Sequence, residues 1–476
     1  MILGMRMELL DFMLITANVF LLTCWDWRKI LEVIMLAQFV MKKIGNLHFL
    51  TALRLYRNKL SGSIPTSTCN LTSLITLSIG TDFLSGIIPR EIGNLRSLKA
   101  LHLHQNQFSG RIPSSLCNLS NLHTLYVYQN QLYGPFPGDI TNLRSLAFLS
   151  LTENKISDSI PADIGKLRSL TMLSLSKNKM TGLIPTSVGN LTNLTDLVLY
   201  DNQLYGSLPT EFSKLNQLTL LSVDHNSLSG SIPTSIGSCS KLTYLNFGNN
   251  NFSGNIPNEL ERAGSLECLQ LNDNSLNGTL SNSIAKLQHL KVLNLANNKF
   301  GGSIPTELGL LRDLQVLSLR SNKFIGSIPE EILCMHQLRI LDLSQNYLTG
   351  QISRKIGNLK NLISRPNGTS MISNVSDGDV QFNMVVKGIN VPVQILLSHI
   401  PWSVGDMSGL ESLDLSFNEL SGNIPQSLTS MDSLGFLNLS YNKLSGKIPQ
   451  GTHFETLSWD GERFIVWTTH EDSLRW

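Results

Sequence analysis

The 476-residue sequence has few charged residues and no long apolar segment. Charged side chains make up only 15% of the chain, and the formal net charge is +2. This composition lacks the basic surface that nucleic-acid binding requires, so we expect no nucleic-acid partner. No apolar stretch reaches the roughly 18 residues of a membrane-spanning helix, which predicts a chain without a membrane span of its own.

Motifs for metal binding and catalysis are also missing. The six cysteines have no CxxC motif and no cysteine–histidine cluster, which argues against a zinc site; they are Cys24, Cys69, Cys117, Cys239, Cys268 and Cys334. There is no nucleophile elbow, HExxH motif, phosphate-binding loop or kinase signature. We therefore expect no enzyme activity, no catalytic residue, no metal and no cofactor.

The chain repeats one phrase every 24 residues. "LHLHQNQFSGRIPSSLCNLSNL" begins at Leu101, and "LSLSKNKMTGLIPTSVGNLTNL" begins at Leu173. A fixed period of this length is typical of a solenoid, in which stacked turns bury a continuous core. One column of asparagines, with Asp82 as its exception, defines fifteen units: Asn58, Asp82, Asn106, Asn130, Asn154, Asn178, Asn202, Asn226, Asn250, Asn274, Asn298, Asn322, Asn346, Asn418 and Asn442.

The residues of one unit explain the period. Alternating apolar and polar residues after Leu101 predict a short strand with Leu101 and Leu103 pointing inward. Asn106 would satisfy backbone groups of adjacent turns, which are otherwise unpaired inside a coil. We therefore predict parallel strands near residues 100–104, 124–128 and every later 24-residue step, with about 4.8 Å between turns.

The consensus LxxLxLxxNxLSGxIPxxIGxLxx resembles the plant-type leucine-rich repeat of cell-surface receptor kinases and receptor-like proteins. The resemblance covers roughly residues 40–458 and implies an α/β solenoid. This would be a curved, right-handed leucine-rich repeat superhelix with a concave parallel β-sheet and 24-residue plant-type repeats. The chain is similar to a plant extracellular leucine-rich repeat receptor-like protein, apparently truncated, because the cysteine-paired caps of that group are not matched.

The resemblance divides the chain into six segments. Residues 1–24 are expected to be a weak signal peptide, 25–43 a degenerate N-terminal segment and 44–362 leucine-rich repeats. Residues 363–399 lack the repeat columns and resemble the island that interrupts the repeats in receptor-like proteins; a decayed pair of repeats is the alternative. Residues 400–458 would be the final leucine-rich repeats, and 459–476 an atypical C-terminal tail.

Nine Asn-x-Ser/Thr sequons favour a glycosylated secretory protein, although several of them arise from the repeat phrase itself. They are Asn70, Asn118, Asn190, Asn193, Asn251, Asn277, Asn367, Asn374 and Asn438. Together with the signal peptide, they predict passage through the secretory pathway to the outer face of the plasma membrane or to the cell wall.

Outward strand positions differ between the two ends of the chain. The late units carry Ser344, Ser416 and Ser440, whereas the early ones carry aromatic and basic residues, which dominate binding hot spots. Strand-favouring tyrosines that merely occupy a sheet are the alternative. The predicted ligand-binding residues are Arg54, Tyr56, Arg57, His102, His104, Tyr126, Tyr128, Tyr200, Asp224 and His225.

These features predict a noncatalytic recognition ectodomain at the cell surface. It would bind an extracellular peptide, protein or microbial ligand and signal through a co-receptor kinase in defence or development. One alternative is a secreted inhibitor of a cell-wall-degrading hydrolase, of the polygalacturonase-inhibiting type. A second alternative is a gene fragment without a functional product.

Overall fold

The computed structural model describes residues 47–356, 410–431, 434 and 436–449, together with the strand segments 383–386, 389–392 and 464–466. We number the turns of the repeat by the asparagine column, so that Asn58 belongs to turn 1, Asp82 to turn 2 and Asn442 to turn 15. Each turn contributes one strand to a main sheet, and most add a second strand and a short 3-10 helix.

The main sheet has sixteen parallel strands in chain order. Neighbouring strands are in register with a step of one repeat, so that Leu77 pairs with Leu101 and Leu101 with Leu125. The strands predicted near 100–104 and 124–128 are confirmed, at three residues each. The sixteen strands are Ala52–Arg54, Thr76–Ser78, Ala100–His102, Thr124–Tyr126, Phe148–Ser150, Met172–Ser174, Asp196–Val198, Leu220–Ser222, Tyr244–Asn246, Cys268–Gln270, Val292–Asn294, Val316–Ser318, Ile340–Asp342, Ser412–Asp414, Phe436–Asn438 and Phe464–Val466.

A second set of parallel strands runs along the side of the stack, which we call the lateral sheet. Its first ten strands are Ser61–Gly62, Phe83–Ile87, Gln107–Gly110, Gln131–Pro135, Lys155–Ser159, Lys179–Gly182, Gln203–Gly206, Ser227–Ser231, Asn251–Gly254 and Ser275–Leu276. Three more pair separately, Gly301–Ser303, Lys323–Gly326 and Tyr347–Leu348, as do Ser421–Asn423 and Lys443–Ser445.

The return segments are 3-10 helices, and no α-helix occurs among the described residues. Proline with φ near −65°, such as Pro113 at −67°, precedes most of them and fixes the chain direction. Only about five residues fit in each return, which suits the tight 3-10 turn. The helices are Thr66–Asn70, Arg90–Asn94, Ser114–Asn118, Gly138–Asn142, Ile164–Lys166, Thr186–Asn190, Thr210–Lys214, Thr234–Ser238, Asn258–Arg262, Asn282–Lys286, Thr306–Leu310, Ile332–Cys334 and Gln426–Ser430.

The repeated leucines form one continuous core along the stack. Leu98, Leu101 and Leu103 are completely buried, and Phe108 joins them from the lateral strand. Gly110 allows the chain to leave that strand at φ 84°, in the left-handed region that side chains disfavour. Because no turn could bury these side chains alone, the stack itself holds each turn in place. The predicted solenoid is confirmed.

The asparagine column forms a hydrogen-bonded ladder between turns. Asn106 Oδ1 accepts a hydrogen bond from Leu84 N at 2.9 Å, and its Nδ2 donates to the carbonyl oxygens of Ile79, Leu103 and His104. The asparagines of the later turns repeat these partners, as Asn178 does, whereas the side chain of Asn58 on turn 1 bonds only within its own turn. Each rung from turn 3 onward therefore satisfies backbone groups on two neighbouring turns, as the sequence predicted.

A second ladder, of threonine hydroxyls, was not foreseen from the sequence. The Oγ1 atoms of Thr171, Thr195, Thr219 and Thr243 each donate to the carbonyl oxygen of the residue one turn earlier, at 3.0–3.1 Å. In each of these turns, threonine occupies the position two residues before the central leucine of the main-sheet strand. These bonds tie turns 5 to 9 together at the entrance of the main sheet.

The main sheet continues past the region that lacks the repeat columns. Strand Ile340–Asp342 pairs directly with Ser412–Asp414, although Leu341 and Leu413 are three repeat lengths apart. Within the intervening residues, Asn383–Val386 pairs antiparallel with Ile389–Pro392. Residues 357–382 and 393–409, which include most of the predicted island, lie outside the described residues.

The segment 459–476, which matches no repeat motif, also contains a strand. Phe464–Val466 pairs with Phe436–Asn438 and is the last strand of the main sheet. In the part of the chain that the structure describes, no helix combines the length and apolar character needed to cross a membrane.

The described cysteines are free thiols, and four of them are buried. Burial raises the pKa of Cys69 to about 12 and those of Cys117 and Cys239 to about 11. Since the thiolate is the reactive form, these buried thiols are suited to a role as small core side chains.

Candidate functional site

Four of the predicted ligand-binding residues form one compact cluster on the outer face of the main sheet, the face turned away from the core. The ring of His102 stacks on Tyr126 with centroids 5.1 Å apart, and His104 stacks on Tyr128 at 4.6 Å. Tyr126 and Tyr128 meet edge to face at 6.0 Å. We call His102, His104, Tyr126 and Tyr128 the ring cluster.

The repeat register is what brings these rings together. His102 and Tyr126 are paired residues of adjacent strands, and His104 and Tyr128 follow two residues later on the same face. Stacked aromatic pairs of this kind contribute about 0.5–1.5 kcal/mol beyond burial. His102, His104 and Tyr126 are half-buried, whereas Tyr128 is buried. The cluster is therefore a rigid platform with only part of each ring accessible.

Gly80 makes room for one of these rings. A Cβ atom at Gly80 would lie 2.7 Å from Cε1 of His104, which is closer than side-chain atoms approach. At the positions that hold His102 and His104 on turn 3, turn 2 carries Ser78 and Gly80, and Ser78 pairs with Arg54 of turn 1 on its other side. Sequence reasoning missed Gly80. The signal in the sequence was a glycine at the position that holds His104 and Tyr128 in the next two turns.

Arg54, Tyr56 and Arg57 lie on turn 1, one turn of small residues away from the ring cluster. All three are exposed, and Tyr56 keeps 53% of its surface accessible. Arg57 has φ 58°, so its side chain leaves the sheet at the rim rather than from the strand. The three residues can border the same ligand as the cluster, but they do not touch it through any described contact.

Tyr200 is not part of the ring cluster. Three turns at about 4.8 Å each separate it from Tyr128, and it is only 5% exposed. It packs instead at the start of an apolar row along the later strands. That row consists of Val198, Tyr200, Leu220, Tyr244, Cys268, Val292, Val316 and Ile340, all between 0 and 8% exposed. Tyr200 therefore lies on a later turn, apart from the ring cluster, and its predicted role in ligand binding stays a prediction.

Asp224 and His225 belong to a separate polar group on turn 8. Asp224 is 6% exposed and accepts a hydrogen bond from the buried Ser222 hydroxyl, and its other oxygen lies 3.0 Å from His225 Nδ1. The hydrogen bond with Asp224 raises the pKa of His225. Here the carboxylate lies between hydroxyl and imidazole, whereas a catalytic triad needs the imidazole in the middle. The group therefore does not activate a nucleophile.

The late serines are structural partners of acidic or amide side chains that sequence reasoning overlooked. Ser344 Oγ donates to Asp342 at 2.6 Å, and Ser416 Oγ donates to Asp414 at 2.7 Å. Arg320 Nη1 lies 3.9 Å from Asp342 and 3.8 Å from Asp414. Burial, followed by the charge of Asp414, raises the pKa of Asp342 to about 6. The late outer face is thus charged and internally bonded.

Two aromatic residues on the rim of the last turns were also missed. The rings of Phe417 and Tyr441 stack with centroids 4.1 Å apart, and the side chains are 46% and 39% exposed. Their backbones lie at φ 51° and 53°, where bulky residues are uncommon. The same position in the other described turns holds a polar residue, such as Gln105. We call this pair the rim pair.

The sequons lie in different environments. Asn70, Asn118 and Asn190 end 3-10 helices and are exposed. The exposed group also includes Asn193, Asn251 and Asn277. Asn438 instead lies on a main-sheet strand, where its Nδ2 donates to Asp414 at 3.3 Å and its Oδ1 accepts from Ser440. Asn367 and Asn374 lie outside the described residues.

No group of three or more histidine, cysteine, aspartate or glutamate side chains with metal-binding geometry occurs among the residues that the structure describes. The arrangement on the outer face offers aromatic surface, hydrogen-bond donors and isolated charges. These groups can make noncovalent contacts with a ligand.

Family models match most of the chain. Residues 36–134 match a leucine-rich repeat region, and residues 168–228 match a leucine-rich repeat. Single leucine-rich repeats match residues 241–263, 289–311, 313–335, 337–359, 409–431 and 433–453. No curated protein sequence matches the chain.

Several solved ectodomains of plant receptors share the fold. That of the membrane receptor kinase GASSHO1/SCHENGEN3 from Arabidopsis thaliana, in complex with CASPARIAN STRIP INTEGRITY FACTOR 2, is 35% identical with a TM-score of 0.68. The match covers 91% of this chain and 51% of the receptor chain, so the present chain spans about half the length of that relative.

Two further receptors match over more of their own length. The plant peptide hormone receptor RGFR1, in complex with RGF2, is 31% identical with a TM-score of 0.63, covering 90% of this chain and 75% of the receptor. The Arabidopsis receptor kinase HAESA, in complex with the peptide hormone IDA and the co-receptor SERK1, is 32% identical with a TM-score of 0.53, covering 86% and 72%. The chain therefore belongs to the leucine-rich repeat family, and its fold is that of plant leucine-rich repeat receptor kinase ectodomains.

Proposed function

We propose that the chain is the recognition part of a plant receptor-like protein and binds an extracellular peptide on the early outer face of the main sheet. The observation that carries this proposal is the ring cluster, in which His102, His104, Tyr126 and Tyr128 form two adjacent stacks. Aromatic side chains supply much of the energy at hot spots, while surrounding contacts contribute little. The receptors RGFR1 and HAESA, which share this fold, are in complex with peptide hormones.

The ligand would run from the ring cluster towards turn 1. Arg54 and Arg57 are exposed there and could pair with an acidic group of the peptide. Turn 2, with Ser78 and Gly80, leaves space between the two sets of anchors. An extended peptide suits this arrangement because it can contact anchors that are one or more turns apart.

A display library of secreted plant peptides, panned against the full chain, tests the proposal. Peptides enriched by the wild-type protein should bind a Tyr126→Ala/Tyr128→Ala variant at least tenfold more weakly, since two stacked anchors are lost. The matched control is Tyr133→Ala/Tyr205→Ala, which removes two tyrosines that are 51% and 53% exposed on the lateral sheet. Undiminished binding by the first variant, or an equal loss in the control, would contradict a site on the early outer face.

We propose that signalling runs through a partner kinase that docks on the last turns. The rim pair supports this proposal, because Phe417 and Tyr441 are exposed and adopt a backbone conformation that bulky residues usually avoid. Strained, exposed aromatic side chains suit a contact surface better than a structural role. The HAESA complex contains a co-receptor, SERK1. The role would be noncatalytic and would lie in defence or development.

The division of the chain and its location are part of the same proposal. Leucine-rich repeats would occupy residues 44–362 and 400–458, with an island at 363–399 between them and an atypical tail at 459–476. A signal peptide at 1–24 and a degenerate segment at 25–43 would precede them. Passage through the secretory pathway would bring the glycosylated chain to the outer face of the plasma membrane or to the cell wall.

A further inference from the structure

Asp82 is the one described rung of the asparagine ladder that is not an asparagine. At the next rung, Asn106 Nδ2 donates three hydrogen bonds to the carbonyl oxygens of Ile79, Leu103 and His104. A carboxylate oxygen takes the place of this amide group at Asp82. An ionised carboxylate can only accept hydrogen bonds, so it cannot reproduce the donating half of the rung.

Asp82 keeps the accepting half of the rung. Its Oδ1 accepts hydrogen bonds from Asn58 N at 2.6 Å and from Leu60 N at 3.1 Å. Its Oδ2 is buried and has no hydrogen-bond partner, and the residue as a whole is 7% exposed. In the repeat register, an asparagine here would donate to the carbonyl oxygens of Leu55 and of the residues at 79 and 80.

We infer that Asp82 is a protonation-dependent rung, which completes the ladder between turns 1 and 2 when its carboxyl group is protonated and leaves it half-formed when ionised. The protonated group carries one O–H, which can donate to a carbonyl oxygen that an asparagine would bind. Since an amide NH2 fills the same place at every neighbouring rung, the space fits a hydroxyl group. The inference rests on the ladder geometry and does not depend on the proposed function.

The electrostatics of the site agree with this inference. Burial disfavours the ionised form and raises the pKa of Asp82 to about 6, despite opposing hydrogen bonds from the backbone N–H groups of Leu60, Asn58 and Lys59. The turns packed against it carry Arg54, Arg57 and Lys59 on turn 1 and His102 and His104 on turn 3 along the same part of the repeat. A cation would lower the pKa of a carboxyl group, so these residues do not cause the rise.

The sign of the pH dependence follows from the raised pKa. The folded chain binds the proton more tightly than the unfolded chain, whose carboxyl group has the ordinary pKa of 3.8. The resulting stabilisation is fully present below pH 3.8 and is lost as the pH rises through about 6. Linkage then predicts about tenfold stronger protection of turns 1 and 2 against local opening at pH 5 than at pH 7.5.

Hydrogen exchange of the full chain at pH 5.0 and 7.5, corrected for intrinsic exchange rates, tests this inference. Wild-type amides between residues 53 and 84 should show the tenfold change in protection, whereas amides of turns 10 and 11 should not. Asp82→Asn restores the repeat consensus and should abolish the change by raising protection at pH 7.5. Asp313→Asn, at an exposed aspartate, should behave as wild type.

Two results would overturn the inference. Equal wild-type protection of residues 53–84 at both pH values would show that Asp82 does not gain a bond on protonation. A pH dependence that persists in Asp82→Asn would assign it to other groups, with His102 and His104 as the candidates, because that variant retains both histidines.

Discussion

The early and late turns of the solenoid share one scaffold but present different outer faces. In both, leucines fill the core and an asparagine ladder joins the turns. On turns 3 and 4 the outward positions hold aromatic and histidine rings that stack on each other. On turns 13 and 14 they hold Asp342 and Asp414, each bonded to a serine of its own turn. The repeat thus fixes the scaffold and leaves the outer face free to diverge.

The divergence extends to the rims of the sheet. Each turn leaves the main sheet through a residue with positive φ, and on the early rim Gln105 and Gln129 occupy this position. The last two turns place Phe417 and Tyr441 there. A left-handed backbone is unfavourable for aromatic residues, so these side chains are better explained by a contact than by folding. Under the proposed function, the two ends of the molecule bind different partners.

The largest expected effect is the loss of stability when the asparagine ladder, which early and late turns share, is disrupted. Asn106→Leu on turn 3 and Asn346→Leu on turn 13 should each lower the local free energy of unfolding by about 3 kcal/mol or more. Each change removes the four hydrogen bonds of one asparagine side chain, at about 0.5–1.5 kcal/mol for each bond. The controls Gln107→Leu and Tyr347→Leu alter exposed neighbours and should stay within about 0.5 kcal/mol.

Hydrogen exchange in the flanking turns measures these effects locally, because long repeat arrays need not unfold in a single step. Losses of similar size at both sites would confirm that early and late turns use the same ladder. A loss of stability at only one end would mean that early and late turns also differ in how much the ladder stabilises them.

The ladder and the core could be predicted from the sequence because a strict period places equivalent residues in equivalent environments. The same argument located the ring cluster, since His102 and Tyr126 are one period apart. It did not show that Tyr200 lies apart from this cluster, because residues that share a position in the repeat but are three turns apart are not in contact. It also missed Arg320 beside Asp414, because the sequence did not show that turns 13 and 14 pair directly across the interrupting residues.

The next largest expected effect is a loss of partner binding when the rim pair is replaced. A Phe417→Asn/Tyr441→Asn variant replaces both rings with a residue that tolerates positive φ. Stability should change by less than about 1 kcal/mol, because lost stacking is offset by relief of backbone strain. Binding to the ectodomain of SERK1, the co-receptor in the HAESA complex, should fall at least tenfold.

The matched control for this experiment is Gln105→Asn/Gln129→Asn, at the same position of two early turns. Binding measured by biolayer interferometry should be unaffected there. If both double variants bind SERK1 equally well, the rim pair is not the docking surface, and the contrast between early and late rims has no bearing on a partner.

The smallest expected effect concerns glycosylation, for which we compare an early sequon with a late one. Asn118 ends an exposed 3-10 helix, whereas Asn438 is half-buried and donates to Asp414 on the late outer face. A glycan on Asn438 Nδ2 would disrupt this bond and stand on the sheet. We therefore expect Asn118→Gln to lower the mass of the secreted protein by one glycan and Asn438→Gln to leave the glycan mass unchanged. Intact-mass spectrometry distinguishes these outcomes. A glycan found on Asn438 would lie beside the surface that we assign to a partner kinase, and this result would count against docking there.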